Sequence, residues 1–478
     1  MTDLLLVNGL VRTMDPGRPT ARSIACADGK VEALDVDVPA KRVIDLRGAT
    51  VVPGFVDAHA HLLMLGRRRR ELDLTGVADE AALAARVAAR AKELPEGAWI
   101  TGSGWALQEP PGAAALDAAA PAHPVWLVRK DAHSGVANAR AMALAGASRE
   151  RGLFLENDMA LVERLVPAAS PAADFLAAQK EAIRFGVTAV HDALVDEDYL
   201  RLLRSLDDGR SLRVRIHAMF WNADPERLIA FMRATPPVSG PRLSVRAVKL
   251  FMDGSLGSST AWMLRPARGV ARLDAAAVER IARAALETGY QVCAHAIGDR
   301  ANRELLDVFE RVDPKGDVRW RVEHAQHVDP DDLPRFGRWI ASIQPSHAVA
   351  DRALVEARLG PRETEGSYAW SRLGRLALGS DAPVDALDPR WTFYCAVTRE
   401  GWRTSDCLAP EAALRGMTAD AAWAGFMDGG VLAPGRPADL AVLSRDWVTA
   451  VPKDVLSSEI LATIMDGRVA SRSPELKG

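Results

Sequence analysis

Cysteine is scarce in this chain: four in 478 residues, at Cys26, Cys293, Cys395 and Cys407, with no CxxC pair. A disulfide scaffold is thereby excluded, and a reducing compartment, the cytoplasm, is the expected location. Long hydrophobic runs are missing too. No stretch of about 18 apolar residues occurs, so no transmembrane helix is expected. The opening MTDLLLVNGLVRTMD carries an acid at Asp3 and no basic segment. It reads as a strand of the folded protein and not as a signal peptide. Neither sign of charge is in excess: 60 Lys and Arg stand against 63 Asp and Glu, a net charge of −3. A nucleic-acid-binding domain would ordinarily be basic, and an acidic disordered chain would be far more negative. No internal repeat or low-complexity tract is visible. Tyrosine is rare, four against twelve tryptophans.

What is present is a 48% hydrophobic, 26% charged chain with ample material for a large core. Eight short apolar segments recur, separated by helical stretches: 54–62, 187–193, 213–220, 246–254, 290–299, 320–326, 339–346 and 375–383. Near-continuous Val, Ile, Leu and Ala strands alternating with helices indicate a parallel sheet covered by helices. Eight such units predict a (β/α)8 TIM barrel. One of the helices is expected to start at Asp274 and end at Gly289, with Val278, Ile281, Ala282 and Ala285 on its buried face. Residues 1–52 and 426–478 are β-like, with a hairpin signal at Asp28-Gly29. They are expected to meet in one small composite β-sandwich domain. Residues 53–425 then form the barrel, with an inserted subdomain at about 95–150, a span too long for a βα connection. Arg67-Arg68-Arg69-Arg70 is the one charge run. It reads first as a solvated surface, and second as a local site for a substrate carboxylate.

The chemistry gathers at strand ends. His59 and His61 are one residue apart on a strand, so both side chains share a face, at the end of a barrel strand where active sites lie. His295 and His324 sit at the carboxyl ends of the fifth and sixth strands, and Asp381 follows the eighth. Four imidazoles and a carboxylate at one barrel mouth suit a divalent metal, with zinc the expected ion. His191 and His217 also lie on strands, in positions better suited to hydrogen-bonded core residues. Lys249 stands in an otherwise apolar strand. Burial of an ammonium is costly unless it is paired or uncharged, so it either pairs with an acid such as Asp253 or becomes a carbamate by reaction with CO2, an anion able to bridge two cations.

The segments around these residues carry a resemblance. Gly54-Phe55-Val56-Asp57-Ala58-His59-Ala60-His61 resembles the first metal motif of the amidohydrolase superfamily. Val248-Lys249-Leu250-Phe251-Met252-Asp253-Gly254, Ala294-His295-Ala296-Ile297-Gly298-Asp299, Val322-Glu323-His324-Ala325 and Gly379-Ser380-Asp381 resemble its YtcJ-like branch, which includes N-substituted formamide deformylase. So do Leu6-Val7-Asn8-Gly9, Gly435-Arg436-Pro437-Ala438-Asp439-Leu440 and Asp131-Ala132-His133-Ser134-Gly135. The similarity spans nearly the whole chain. It implies a distorted barrel hydrolase with one or two divalent metals. His59, His61 and Asp381 would hold the more buried ion, His295 and His324 the second, and Lys249, as carbamate, would bridge them. One departure falls in the insert, where Gly102-Ser103-Gly104-Trp105-Ala106 lacks the acid that this branch more often carries after the tryptophan.

The expected reaction is hydrolysis of a carbon–nitrogen bond other than a peptide bond, in a small amide with an apolar or aromatic substituent. Asp381 would relay the proton of a metal-activated water, with His295 or His347 as a further donor. Trp105 and His133 in the insert, together with His347, are the expected substrate contacts, and Trp99 and Trp126 are further candidates. Two alternatives stay open: a metal-dependent isomerase or lyase on the same barrel, and a non-catalytic ligand-binding barrel. No nucleic-acid or membrane partner is expected. A homodimer is the one protein assembly considered.

Overall fold

The structure is a computed structural model that describes residues 1–68, 71–167, 170–316 and 318–476. Arg69 and Arg70 of the arginine run lie outside the described residues.

All eight expected segments form parallel strands, in chain order: Phe55–Ala60, Val187–Val195, Arg215–Phe220, Leu243–Phe251, Gln291–Ala296, Arg321–His324, Ile340–Ile343 and Arg375–Leu378. Hydrogen bonding runs from the first strand through to the eighth. The ring is completed just beyond the strand ends: Asp381 N–H donates to His59 O (2.7 Å), and His61 N–H donates to Ala382 O (2.7 Å). Asp57 straps the same seam. Its carboxylate accepts from His59 N–H (3.1 Å), Ser380 N–H (3.0 Å) and Ser380 O–H (2.6 Å). Burial pushes this carboxyl up to about 6 against those bonds. Gly379 is required here because a Cβ would stand 2.4 Å from His59 N and 2.7 Å from Asp57 Oδ1. Gly379→Ala is therefore expected to lower stability by about 1–3 kcal/mol, the usual range for overpacking. It should also lower the metal content of the purified protein. Chemical denaturation and elemental analysis check both.

The helices obey their local signals. In Ala275–Thr288 the Asp274 side chain accepts from Ala277 N–H, Gly289 ends the helix at φ 79°, and Val278, Ile281, Ala282 and Ala285 are buried. At the amino ends of the strands, Ala421, Ala422 and Ala424 pack against Val56, Ala58, Ala189, Ile340 and Ala377 and close that end of the barrel. The other end stays open.

Both termini contribute to one β-unit. Thr50–Pro53 pairs antiparallel with Leu440–Leu443, and Asp28 and Gly29 turn the hairpin between Ile24–Ala27 and Lys30–Leu34 with positive φ at both. Leu4, Leu6, Val11, Ile24, Val442 and Ile464 belong to its core.

The insert is larger than 95–150. Its five-stranded sheet starts at Leu72–Asp73 and ends at Leu153–Leu155. The helix Glu80–Ala91 belongs to it, with Leu83 and Val87 packed on Ile100, Leu116 and Leu127. That helix has the amphipathic repeat of any barrel helix, so spacing alone does not assign it to the insert. Among the described residues no helix is long and apolar enough to cross a membrane.

Candidate metal centre

The open end of the barrel collects the expected residues. Donor atoms of His59, His324 and Asp381 all lie within 4.8 Å of one another. His61 Nε2 is 3.1 Å from Asp381 Oδ1, and the His61 and His59 rings are 5.4 Å apart. The His295 ring lies 4.6 Å from that of His324. Lys249 Nζ is 3.4 Å from His59 Nε2. These six side chains form one continuous cluster, and His324, assigned from sequence to a second ion, stands with His59 and Asp381.

Strained backbone aims two of these donors. His324 (φ 73°), Ala325 (φ 41°) and Asp381 (φ 59°) are non-glycine residues in the left-handed region, a conformation costing about 1–3 kcal/mol that surrounding structure must hold. The Trp370 indole N–H does so for the first two, donating to His324 O (3.1 Å) and Ala325 O (2.9 Å). Asp381 is held by its own N–H bond to His59 O.

An oxygen partner sets the tautomer of three histidines. His59 Nδ1 meets Glu323 Oε2 at 2.5 Å, His324 Nδ1 meets Gln344 Oε1 at 2.7 Å, and His295 Nε2 meets Gly254 O at 3.0 Å. In each ring the bonded nitrogen carries the proton, and the other keeps its lone pair. Burial holds all three well below the usual histidine range, so they are neutral and able to ligate. Two buried ring nitrogens without a hydrogen-bond partner among the described residues gather at the same place, His61 Nδ1 and His347 Nε2, beside Asp381 Oδ1, which meets His61 Nε2 at 3.1 Å. A set of imidazole nitrogens and a carboxylate with unspent donor atoms fits a borderline divalent ion such as zinc. Burial alone would raise the Asp381 pKa, but the His61, His59 and His347 imidazoles more than offset it and hold the carboxyl well below its usual range.

Lys249 is 1% exposed and has no carboxylate within 4.0 Å among the described residues. Asp253, the acid considered as its partner, is taken by the N–H groups of Trp262, Ile297 and Gly298. Burial lowers the Lys249 pKa to about 8.

Two residues escaped sequence reasoning, Arg321 and Glu323. The Arg321 guanidinium sits inside the barrel, 0% exposed, on Glu323 Oε1 (2.7 Å) and Oε2 (3.0 Å), Ala58 O (2.6 Å), Ser342 Oγ (2.8 Å) and His191 Nδ1 (2.7 Å). Glu323 in turn fixes His59. The available signal was two opposite charges at i and i+2 in an apolar strand. His191 and His217 are core residues as expected, on Arg321 and on Gln291 Oε1 (3.0 Å) respectively.

A cavity of about 2320 Å³ opens over the centre and is roofed by the insert. His347 lies on it, with Nε2 3.8 Å from Asp381 Oδ2. His133 lies on it too, 5.3 Å ring to ring from His295, with Nδ1 3.0 Å from Glu156 Oε2. Burial would lower the His133 pKa, but Glu156 overrides it and the net shift is upward. Trp105 is a correction. It is 0% exposed in the insert core, its N–H donates to Leu127 O (3.2 Å), and it is no substrate contact. A bulge between Ser103 and Trp105, with Gly104 at φ 97°, breaks the alternation that sets Thr101 and Ser103 on the cavity and turns Trp105 inward, whereas Trp99 and Trp126 line the cavity. Arg67 lines the cavity as well, while Arg68 donates to Pro383 O and to Thr75 Oγ1 (3.1 Å), tying the insert to the loop after Asp381.

This arrangement has known counterparts. The chain is 32% identical to Protein LONG AFTER FAR-RED 3 of Arabidopsis thaliana, over 98% of this chain and 91% of that one. It is 29% identical to the putative amidohydrolase YtcJ of Bacillus subtilis, over 90% of each. Identity to the N-substituted formamide deformylase of Arthrobacter pascens is 25%, over 98% of each. Among solved structures, an uncharacterized metal-dependent hydrolase from Pyrococcus horikoshii superposes with a TM-score of 0.80 at 28% identity, covering 94% of this chain and 99% of that one. Residues 42–470 match the amidohydrolase family. With nine-tenths of its length in that match and imidazole and carboxylate donors at the mouth of the barrel, the chain belongs to the amidohydrolase family.

Proposed function

We propose that this protein is a metal-dependent hydrolase that cleaves the carbon–nitrogen bond of a small amide. The observation that carries the reading is the cluster of His59, His324 and Asp381 donors at the open end of an amidohydrolase barrel. His61 and His295 complete the donor set, zinc is the ion it suits, and Lys249, as carbamate, would add a bridging oxygen ligand. When bound, a divalent ion supplies Lewis acidity: it polarises a carbonyl and lowers the pKa of water from ~15.7 toward ~7.

The chain's own groups do the rest. The Asp381 carboxylate takes the proton of the attacking water and returns it to the departing nitrogen. His347, across from Asp381 Oδ2, offers its Nε2 to the substrate oxygen. His133 does the same from the insert side, its orientation set by Glu156. The deformylase relative acts on N-substituted formamides, and that class is the starting point for substrates here.

The test is a screen of zinc-loaded and chelator-treated protein against N-formyl, N-acyl and cyclic amides. Equimolar amine and acid from the loaded protein alone are expected. An isomeric product, or equal turnover after metal removal, would overturn the reading.

Carbamate formation needs the neutral amine. Because burial brings Lys249 down to about 8, uptake of 13C-bicarbonate should rise as pH is raised through about 8. A carbamate carbon resonance is the readout, and it should be missing in Lys249→Met. Its absence from wild-type, metal-loaded protein at pH 9 rejects the bridge.

A further inference from the structure

Three of the four histidines at the metal centre give one ring nitrogen to an oxygen on another strand or the loop that follows it: His59 to Glu323, His324 to Gln344 and His295 to Gly254. His61 is the exception. Its Nε2 faces the cluster, 3.1 Å from Asp381 Oδ1, and its Nδ1 is buried with no hydrogen-bond partner among the described residues. An imidazole that gives its Nε2 lone pair to an ion carries its proton on Nδ1. A buried N–H left unbonded costs the desolvation of the full donor, so this one needs an acceptor.

One carboxylate stands in the right place. His191 and Asp192 are consecutive on the second barrel strand, so their side chains take opposite faces. His191 points into the barrel, onto Arg321, and Asp192 points outward, to Tyr199 of the helix Glu197–Asp208. Asp192 is 0% exposed, and a buried acid is costly unless it is bonded. Register sets it beside the end of the first strand. The pairing slips by one residue between Val190 and Asp192, which puts Asp192 opposite Ala60, the residue before His61. Such irregularities re-aim side chains next to active sites. Asp192 Oδ2 accepts from Tyr199 O–H at 2.6 Å, while Oδ1 has no hydrogen-bond partner of ordinary geometry among the described residues. Burial pushes this carboxyl up to about 6, against the Tyr199 hydroxyl, the His61 imidazole and the Leu62 and Leu194 amides, which pull it down. Tyr199 is itself fixed. Asp196 alone connects the strand to the helix and accepts from Tyr199 N–H at 2.8 Å, and Phe175 packs edge to face on the phenol ring at 6.1 Å.

We infer that Asp192 is the outer partner of His61, a positioning residue that accepts the Nδ1 proton when Nε2 holds a metal ion, with Tyr199 keeping the carboxylate in place. The inference rests on the metal centre proposed above and not on the reaction assigned to it. A carboxylate behind a ligating imidazole fixes its tautomer and ring orientation and raises its basicity. Among the described residues, Asp381 is the one carboxylate within 4.0 Å of a His61 nitrogen, so the bond to Asp192 is one that closes on metal binding.

The experiment is zinc titration against a competing chelator, with denaturant midpoints of the metal-free proteins alongside. Asp192→Ala removes the acceptor and Asp192→Asn keeps its volume. Both should weaken zinc binding, by about 10–100-fold, the usual cost of a lost outer partner, with Asn nearer the lower end. Tyr199→Phe should weaken it by less. At saturating zinc, 15N-histidine-labelled wild type should gain a slowly exchanging Nδ1–H resonance, and Asp192→Asn should move that resonance upfield. A lower midpoint with unchanged zinc affinity and an unmoved resonance would leave Asp192 a residue of the fold alone and overturn the inference. Should Asp192→Ala fail to fold, Asp192→Asn and the wild-type resonance decide. Wild type that binds no zinc removes the metal centre itself, whereas variants that bind zinc as tightly as wild type remove Asp192 alone. None of these readouts involves turnover, so they stand apart from the amide reaction.

Discussion

Replacing Asp381 by Asn should lower kcat by about 10²–10⁴-fold, the usual worth of general acid–base catalysis, with only partial loss of bound metal. An amide keeps an oxygen for the ion but cannot carry the proton. Asp381 suits the role because its backbone is tied to His59 O and its carboxylate stands among the imidazoles of the barrel mouth, with Oδ1 3.1 Å from His61 Nε2. Steady-state rates at saturating substrate, beside zinc content from elemental analysis, are the measurement. Near wild-type turnover in the variant would remove Asp381 from the chemistry.

Arg321→Met should be the most damaging change outside the donor cluster. The arginine neutralises Glu323 where both side chains are 0% exposed. Burial would raise the Glu323 pKa, but Arg321 and Lys249 outweigh it and the carboxyl stays below its usual range. Removing one partner of a buried ion pair typically costs about 3–5 kcal/mol. It should also loosen His59, whose Nδ1 depends on Glu323, and lost outer-shell support usually weakens metal binding by about 10–100-fold. Glu323→Gln keeps the volume but leaves the Arg321 guanidinium buried without its anion, so stability should fall there as well, together with zinc affinity. Denaturant midpoints of the metal-free proteins, with zinc titrations in a competing chelator, measure both effects. An Arg321→Met protein with unchanged midpoint and unchanged zinc affinity would show that the pair supports neither.

Much of the architecture was legible because it is written in local periodicity. Most barrel strands are buried on both faces and appear as apolar runs, and several flanking helices carry their own caps, as Asp274 and Gly289 do. The histidines stood out for the same reason: a polar side chain at the end of an apolar strand is conspicuous. The insert was harder. Glu80–Ala91 looks like any helix packed on a barrel, and only its contacts with Leu116 and Leu127 assign it. Trp105 was misjudged because composition cannot say to which side of a strand an indole turns.

Sequence by itself determined the eight-strand barrel, the pairing of the two termini as β-structure, and which side chains are chemically equipped for a metal, since these follow from residue type and short-range spacing. Only the tertiary structure decided how those side chains group. It brought His324 to His59 and Asp381, left Lys249 with no carboxylate within 4.0 Å among the described residues, and set Glu323 and Arg321 behind His59. It also turned Trp126 toward the cavity and Trp105 away from it. The reason is physical: a donor's partners are fixed by strand register around a closed barrel and by backbone held in the left-handed region at its mouth, and both depend on contacts between residues hundreds of positions apart.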